Sequence, residues 1–283
     1  MKWMLKKLPA FLFLSAAALT IWFPVLFLAG GSIMGNLELS TRLAPVFQKK
    51  EGFAFWHILP CFPTGVSYLE LLLDSPSFFV MFWNSVKIAV FPLLGQLVTA
   101  VPAAWWFSRH NSPFAKALYT LYLTLMLMPF QVTMVSDYLV LRQLHLLDTL
   151  QGIIFPVLFS TFPVFIIYRF FCSIPKEVIE SAQIDGASPF QVFFYIGLPL
   201  GKTGIGAALV LGFLEYWNLL EQPMAFLKTK YLWPLSLWMP RITDGKIGLA
   251  LAASVMILLP AALVFLCGQD DLEQGMAMAG LKE

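Results

Sequence analysis

The sequence predicts an all-α membrane protein with six transmembrane helices. Of its 283 residues, 59% are hydrophobic and only 12% are charged, whereas a soluble domain carries about 25% charged residues. The mean hydropathy of +0.78 agrees with this composition. Such a chain lacks the charged side chains that would cover a soluble globule. A soluble enzyme, a nucleic-acid-binding protein and a disordered protein are therefore poor interpretations.

Apolar runs of bilayer length predict the individual helices. A hydrocarbon core of about 30 Å requires roughly 20 apolar residues in a helix. Five charge-free runs reach that length, and a weaker run is interrupted by Glu215. The predicted spans are 8–30, 80–107, 116–140, 149–171, 203–222 and 247–268, within a single transmembrane domain of 1–283.

Three lysines before the first run, Lys2, Lys6 and Lys7, set its expected orientation. A lysine-rich start followed by an apolar run also resembles a secretory signal, but this run is longer than a normal signal core and further spans follow it. We therefore expect a retained first helix whose N-terminus is cytoplasmic, since cytoplasmic flanks carry excess lysine. With these three included, the lysines and arginines of the loops are divided almost evenly, nine inside and eight outside. Six spans would also place the C-terminus in the cytoplasm.

The longer cytoplasmic loop, 174–200, predicts two short helices joined by a tight turn. Pro175 suits the first turn of a helix, where its missing N–H costs nothing. Glu177 and Glu180 follow in the early turns, where the helix dipole favours acidic side chains. Gly186 ends this helix, because glycine readily adopts the left-handed conformation that closes one.

The second helix of this loop has a clear start in the sequence. Ser188 is its N-cap, Pro189 occupies the first helical position, and Gln191 completes a capping box. Pro199 is predicted to end the helix. Its apolar face comprises Phe190, Phe193, Phe194 and Ile196. The pair either rests on lipid as an amphipathic element or forms a rigid docking element for a cytoplasmic partner, and the caps on both sides of the turn favour rigidity.

The residues ESAQIDGAS and FYIGLPL of this loop resemble the EAA loop of ABC importer permeases, above all those of the maltose-type, binding-protein-dependent carbohydrate family. Ser181 stands at the usual middle alanine, and Thr203 stands where proline is common. Other segments resemble parts of that family in the family's order, and they are 82–90, 144–156, 216–223 and 274–283.

The resemblance implies a type I ABC importer permease fold, with the loop as a coupling helix that fits a cleft on a cytoplasmic ATPase subunit. Glu180 and Asp185 would contact that subunit through polar groups, and small residues would permit close approach. The expected coupling residues are Glu180, Ser181, Ala182, Asp185, Gly186 and Ala187.

The same resemblance implies the rest of the complex. A second homologous permease, two ATPase subunits and an extracytoplasmic solute-binding protein would join this chain in a bacterial cytoplasmic membrane. The cargo would be a sugar or oligosaccharide. ATP with magnesium would bind to the ATPase subunits, and this chain would hold no cofactor.

Four consecutive residues in the fifth span are candidates for a substrate pathway: Glu215, Tyr216, Trp217 and Asn218. An acid within a membrane span is a functional-site hypothesis by default. Aromatic faces suit sugar rings, and acids or amides suit hydroxyl groups. Alternatively, Glu215 packs against a partner group or lines a subunit interface, and the pocket lies mostly in the other permease. The sequence leaves both interpretations open.

No catalytic or metal site is predicted. The three histidines and three cysteines lack ligand spacing, and no nucleophile–histidine–acid arrangement follows from the sequence. The stretch GLPLGKT at 197–203 is one residue short of a phosphate loop between its glycines. Two alternatives to a sugar importer remain. One is an importer of another nutrient, such as a polyol phosphate or a peptide, and the other is an ion-coupled secondary carrier, for which Glu215 alone is thin support.

Overall fold

The computed structural model describes residues 2–47, 58–238 and 246–280. These residues form α-helices joined by short loops, which confirms the all-α fold class. The chain divides into two compact units, Met1–Phe79 with Met239–Pro260 and Val80–Trp238 with Ala261–Glu283. We call them the first and the second unit.

The helices follow one another in a simple order. The first five are α1 Lys2–Ser32, α2 Asn36–Arg42, α3 Ala44–Phe47, α4 Val66–Leu73 and α5 Pro76–Arg109. The next five are α6 Pro113–Met126, α7 Phe130–Gln143, α8 Leu150–Leu158, α9 Phe162–Ser173 and α10 Lys176–Ile184. The last are α11 Pro189–Val192, a π-helical turn Phe193–Gly197, α12 Leu198–Trp217, α13 Glu221–Phe226, two 3₁₀ turns Lys230–Leu232 and Leu235–Leu237, and α14 Ile247–Gly280.

Within the described residues, five helical segments are long and apolar enough to cross a membrane. They are Phe11–Ser32, Pro76–Arg109, Leu150–Ser173, Pro189–Trp217 and Ile247–Gln274. The pair α6 and α7 supplies a sixth span if it is counted as one, but it bends by 99°. Pro129 accounts for the bend, because it has no N–H to continue the helix and it forces Met128 out of helical geometry.

The first unit is built around Met34, Leu39, Leu43 and Ile247, with Phe27 and Leu251 packed against them. Glu38 fastens the segment just before α4, because its Oε1 accepts a hydrogen bond from the Cys61 N–H at 2.9 Å and lies 2.7 Å from Nη2 of Arg42. The Cys61 N–H is the main reason that the pKa of Glu38 is lowered.

In the second unit, the 174–200 loop packs on a core formed by α5, α9 and α12. Buried Ala104, Ile167 and Phe171 belong to this core. Helix α12 approaches α9 closely because Gly204 presents no side chain to it: a Cβ there would lie 2.4 Å from Cγ of Phe170. The 174–200 loop therefore packs against closely spaced helices.

Candidate functional site

Helix α10 ends as the sequence predicts and starts one residue later. Pro175 is its N-cap, and Lys176 is the first helical residue. At the other end, the Gly186 N–H donates to the Gln183 carbonyl at 3.1 Å and the Ala187 N–H donates to the Ala182 carbonyl at 2.9 Å, which together form a Schellman motif. Gly186 has φ +89°, and a Cβ there would meet nothing within 4 Å. The backbone conformation, and not a lack of space, therefore favours glycine.

The predicted capping box starts the second helix. The Gln191 N–H donates to Oγ of Ser188 at 3.3 Å, and Oε1 of Gln191 accepts from the Ser188 N–H at 2.8 Å. Because both ends of the turn are capped through local hydrogen bonds, the two helices are held in a defined geometry.

The prediction that Pro199 ends the second helix is wrong. The helix continues from α11 through the π turn into α12, forming one segment of Pro189–Trp217. In the π turn, the Leu198 N–H bonds to the Phe193 carbonyl, five residues back. This wider turn interrupts the α-helical pattern just before Pro199, so Pro199 occupies the first turn of α12, where its missing N–H is tolerated. The fifth span accordingly starts earlier than 203 and ends before 222.

The tip of the loop combines apolar and acidic groups on its exposed surface. Ile184 is 86% exposed and Phe190 is 75% exposed. Phe190 stacks on Phe194 with 6.0 Å between ring centroids. The expected coupling residues Glu180, Ser181, Asp185 and Gly186 are also exposed. We call the exposed set the loop tip, and its members are Glu180, Ser181, Ile184, Asp185, Gly186, Phe190 and Phe194.

The other two expected coupling residues face the body of the protein. Ala182 and Ala187 are half-buried and pack against the core of the second unit, beside buried Ile179 and Val192. Their small size therefore lets the loop lie close to its own base. Ala182 and Ala187 are therefore less exposed than the residues of the loop tip.

The four candidate pathway residues do not form one surface. Glu215 and Asn218 are exposed, whereas Tyr216 and Trp217 are buried. Trp217 stacks on Phe213, with 5.6 Å between ring centroids. The two aromatic rings are thus part of the packing of the second unit, and only Glu215 and Asn218 remain on the exposed side of α12.

A buried polar cluster, which the sequence analysis missed, joins α5 to the break between α8 and α9. Nε2 of Gln96 donates to the Val157 carbonyl at 2.9 Å and to Oη of Tyr216 at 2.5 Å. Oγ1 of Thr99 donates to the Leu158 carbonyl at 3.2 Å. The Val157 carbonyl also accepts from the Ser160 N–H at 3.2 Å, and the side chains of α5 add donors at this end of α8, where the regular helical pattern stops.

A groove of about 540 Å³ lies between α7 and α13. Its lining is mainly apolar and includes Phe130, Met134, Tyr138, Met224 and Phe226. Its polar part is a pair, in which Nε2 of Gln131 donates to both carboxylate oxygens of Glu221 at 2.7 and 2.8 Å. An acid and an amide beside aromatic faces can bind hydroxyl groups on a neutral ring.

The link before α8 is fixed to the segment after α13 by Asp148. Its Oδ1 accepts from the N–H groups of Lys228 at 2.8 Å and Thr229 at 2.9 Å, and its Oδ2 accepts from the Thr229 hydroxyl. The bond from the Thr229 hydroxyl is the main reason that the pKa of Asp148 is lowered.

Asn84 and Ser85, within the 82–90 segment, hold the same stretch of chain further on. Nδ2 of Asn84 donates to the carbonyls of Tyr231 at 2.8 Å and Trp233 at 3.2 Å. Oγ of Ser85 accepts from the Leu235 N–H at 2.8 Å. The irregular segment between α13 and residue 238 therefore has a defined path over α5.

Comparison with known proteins places these features in context. The sequence profile described as "Binding-protein-dependent transport system inner membrane component" matches residues 96–277. The chain is 25% identical over 274 residues to the arabinooligosaccharides transport system permease protein AraQ of Bacillus subtilis (strain 168), covering 96% of this chain and 94% of AraQ. It is 28% identical over 200 residues to the lactose transport system permease protein LacG of Rhizobium radiobacter, covering 70% of this chain and 73% of LacG.

The fold also resembles a solved structure. One chain of a bacterial ABC transporter involved in the import of the acidic polysaccharide alginate superposes with a TM-score of 0.79. The superposition covers 94% of this chain and 96% of that chain, at 21% sequence identity. The architecture is therefore shared although most residues differ.

Proposed function

Because the chain belongs to the family of binding-protein-dependent transport system inner membrane components, we propose that it forms half of the translocation pathway of an ATP-driven importer of sugars or oligosaccharides. Membership confirms the resemblance identified in the 174–200 loop, and it makes the chain a multi-pass membrane permease of a transport family. Such permeases work in general with a partner permease, an ATPase and a binding protein. For this chain we propose a homologous second permease, two cytoplasmic ATPase subunits that bind ATP with magnesium, and an extracytoplasmic binding protein. Both termini would be cytoplasmic.

The fixed geometry and the exposed apolar and acidic residues of the loop tip support the coupling role. Its geometry is fixed by the Schellman motif at Gly186 and the capping box at Ser188, and its apolar Ile184 is almost fully exposed. In the 174–200 loop, Lys176 is the one basic residue, against three acids, Glu177, Glu180 and Asp185. Helices that rest on anionic lipid carry basic residues on their polar face, whereas Glu180 and Asp185 suit a basic cleft on a protein. A protein partner therefore fits the loop tip better than a lipid surface does.

In the proposed cycle, ATP binding closes the two ATPase subunits and draws the two permease loops together. This movement shifts the permease pair from an inward-facing to an outward-facing state, and the binding protein then releases its cargo into the pathway. ATP drives the shift only because it binds one state more tightly than the other. The coupling residues act as mechanical contacts, and this chain carries out no bond chemistry.

Two observations support a neutral sugar as the cargo. The relatives AraQ and LacG are named for arabinooligosaccharides and lactose. The groove between α7 and α13 offers aromatic faces and the Gln131–Glu221 pair, and its lining includes an acid and no basic side chain. A phosphorylated polyol would need cationic partners. We therefore propose that hydroxyl groups of a sugar meet this groove, together with Glu215 and Asn218.

The substitution Ile184→Asp tests the coupling role. It places a charge on the loop tip without disturbing the core, since Ile184 is 86% exposed, and Leu37→Asp in α2 is a matched control with the same 86% exposure. We expect Ile184→Asp to lose the ATPase subunits during purification in mild detergent, as read by mass spectrometry. The control should retain them and keep ATP-dependent sugar uptake in proteoliposomes.

Three results would contradict the proposal. The proposal is contradicted if the wild-type chain purifies without an ATPase, or if Ile184→Asp and Leu37→Asp behave alike. It is also contradicted if uptake depends on an ion gradient and not on ATP, a result that would favour the secondary carrier. Competition of uptake by neutral sugars and by polyol phosphates decides the cargo, and inhibition by the phosphates alone would refute a neutral sugar.

A further inference from the structure

The end of α5 lies directly beneath the 174–200 loop. Arg109, in the last turn of α5, donates from Nη2 to the Phe171 carbonyl at 2.6 Å and from Nη1 to the Ile174 carbonyl at 3.5 Å. These carbonyls belong to the end of α9 and to the residue after it. The Phe171 carbonyl also accepts from the Ile174 N–H at 3.3 Å, because Pro175, four residues after Phe171, has no N–H to donate. Arg109 therefore fixes the segment that leads into the loop.

Trp105, one helical turn before Arg109, contacts both ends of the loop. Its ring meets Phe171 edge-on at 5.1 Å and Phe193 at 5.7 Å between centroids. A Cβ on Gly197 would lie 2.8 Å from Cζ3 of Trp105, so the backbone of the π turn rests on the indole. The start and the end of the loop thus meet on one side chain of α5.

The two side chains also contact each other. The guanidinium carbon of Arg109 lies 4.5 Å from the centre of the Trp105 ring, which is cation–π geometry. Nε of Arg109 is buried and has no hydrogen-bond partner, and among the described residues no carboxylate forms an ion pair with Arg109. The cation is held by neutral carbonyls and an aromatic face.

We propose that Trp105 and Arg109 are positioning residues that transmit the displacement of the 174–200 loop to α5. The proposal deepens the proposed function and rests on it, since the loop must be the part that the ATPase moves. Packed interiors do not deform continuously, so a shift of the Phe171 and Phe193 rings displaces the indole between them. The π turn, where the helical hydrogen-bond pattern already changes, provides a place for that shift.

The test compares Trp105→Leu and Arg109→Gln with Trp106→Leu in the assembled importer. Trp106 is the matched control, because it is the same residue type in the same helical turn but its ring meets Phe107 and His110. The importer is reconstituted with its ATPase and binding protein, and ATP hydrolysis and sugar uptake are measured on the same vesicles. We expect the ATPase to stay bound in all variants. The sugar transported per ATP should fall about tenfold in Trp105→Leu and Arg109→Gln, and should not change in Trp106→Leu.

A second variant keeps the test decisive if Arg109→Gln does not fold. Gly197→Ala keeps the residues Trp105 and Arg109 but puts a methyl group 2.8 Å from Cζ3 of Trp105, which displaces the indole, so it should lower the same ratio. Uptake and hydrolysis that fall in parallel, or ratios equal to the wild type in Trp105→Leu and Gly197→Ala, would overturn the transmission role. Failure of the wild-type chain to hold an ATPase would instead refute the proposed function itself.

Discussion

The substitution Gln96→Leu is expected to destabilise the second unit, because Gln96 is the donor for two buried acceptors. Gln96 is 3% exposed, and its amide serves the Val157 carbonyl and the Tyr216 hydroxyl. Leucine has similar bulk and no donor. Neither acceptor would be left without a partner, since the Val157 carbonyl also accepts from the Ser160 N–H at 3.2 Å and the Tyr216 hydroxyl also meets Ser160.

The magnitude follows from the number of bonds lost. A hydrogen bond between membrane helices contributes about 0.6 kcal/mol on average and about 1.7 kcal/mol at most. With two such bonds removed, we expect a loss of about 1 kcal/mol in the free energy of unfolding.

Unfolding of the purified chain in mixed micelles by added SDS measures this loss. Gln151→Leu is the control, because Gln151 lies on the neighbouring α8 and is exposed. A shift of the midpoint to lower SDS in Gln96→Leu alone supports the reasoning. Equal midpoints for Gln96→Leu and the wild type would show that the cluster does not hold the break between α8 and α9.

Two further predictions concern the turns of the chain. Gly186→Ala forces a side chain into φ +89°, which costs about 1–2 kcal/mol, so ATPase binding should weaken while Gly65→Ala, at φ −94°, stays at the wild-type level in the same pull-down. Asp148 has a pKa below its ordinary 3.8, so the stabilisation from its carboxylate is complete above about pH 4 and is lost as the pH falls through the lowered pKa. The difference in melting temperature between wild type and Asp148→Asn should therefore be constant near neutral pH and shrink in acid, and a difference that does not depend on pH would refute the role of the charge.

The parts of the site that could be predicted are those whose interactions are local. Gly186 and Ser188 cap their helices through partners no more than five residues away, so the residue types are enough to place the turn. The prediction for Pro199 was wrong because the interactions that decide it are not local. The π turn before Pro199, which packs on Trp105, already interrupts the hydrogen bonding that proline would break, so the helix continues. That turn packs on a residue from another helix, which a single sequence does not reveal.

Helix rotation explains why the four candidate pathway residues differ in exposure. Successive residues of an α-helix point about 100° apart, so four consecutive residues cannot share one face. An apolar run with no polar side gives no indication of which face is buried. The sequence alone therefore does not show that Tyr216 and Trp217 face a different way from Glu215. The structure buries the two aromatic rings and exposes the acid. Gln96 and Arg109 were missed because their partners are backbone carbonyls, which carry no residue-specific signal.

Helix α5 contacts two places in the second unit where regular helical hydrogen bonding is interrupted. Gln96 and Thr99 hold the carbonyls at the break between α8 and α9, and Trp105 and Arg109 hold the two ends of the loop. From Gln96 to Trp105 the helix rises about 14 Å. If the loop displaces α5, the donors at the break must move with it, because they belong to the same helix. Gln96→Leu should therefore lower the sugar transported per ATP in addition to stability, whereas a variant that only destabilises would lower uptake and hydrolysis together.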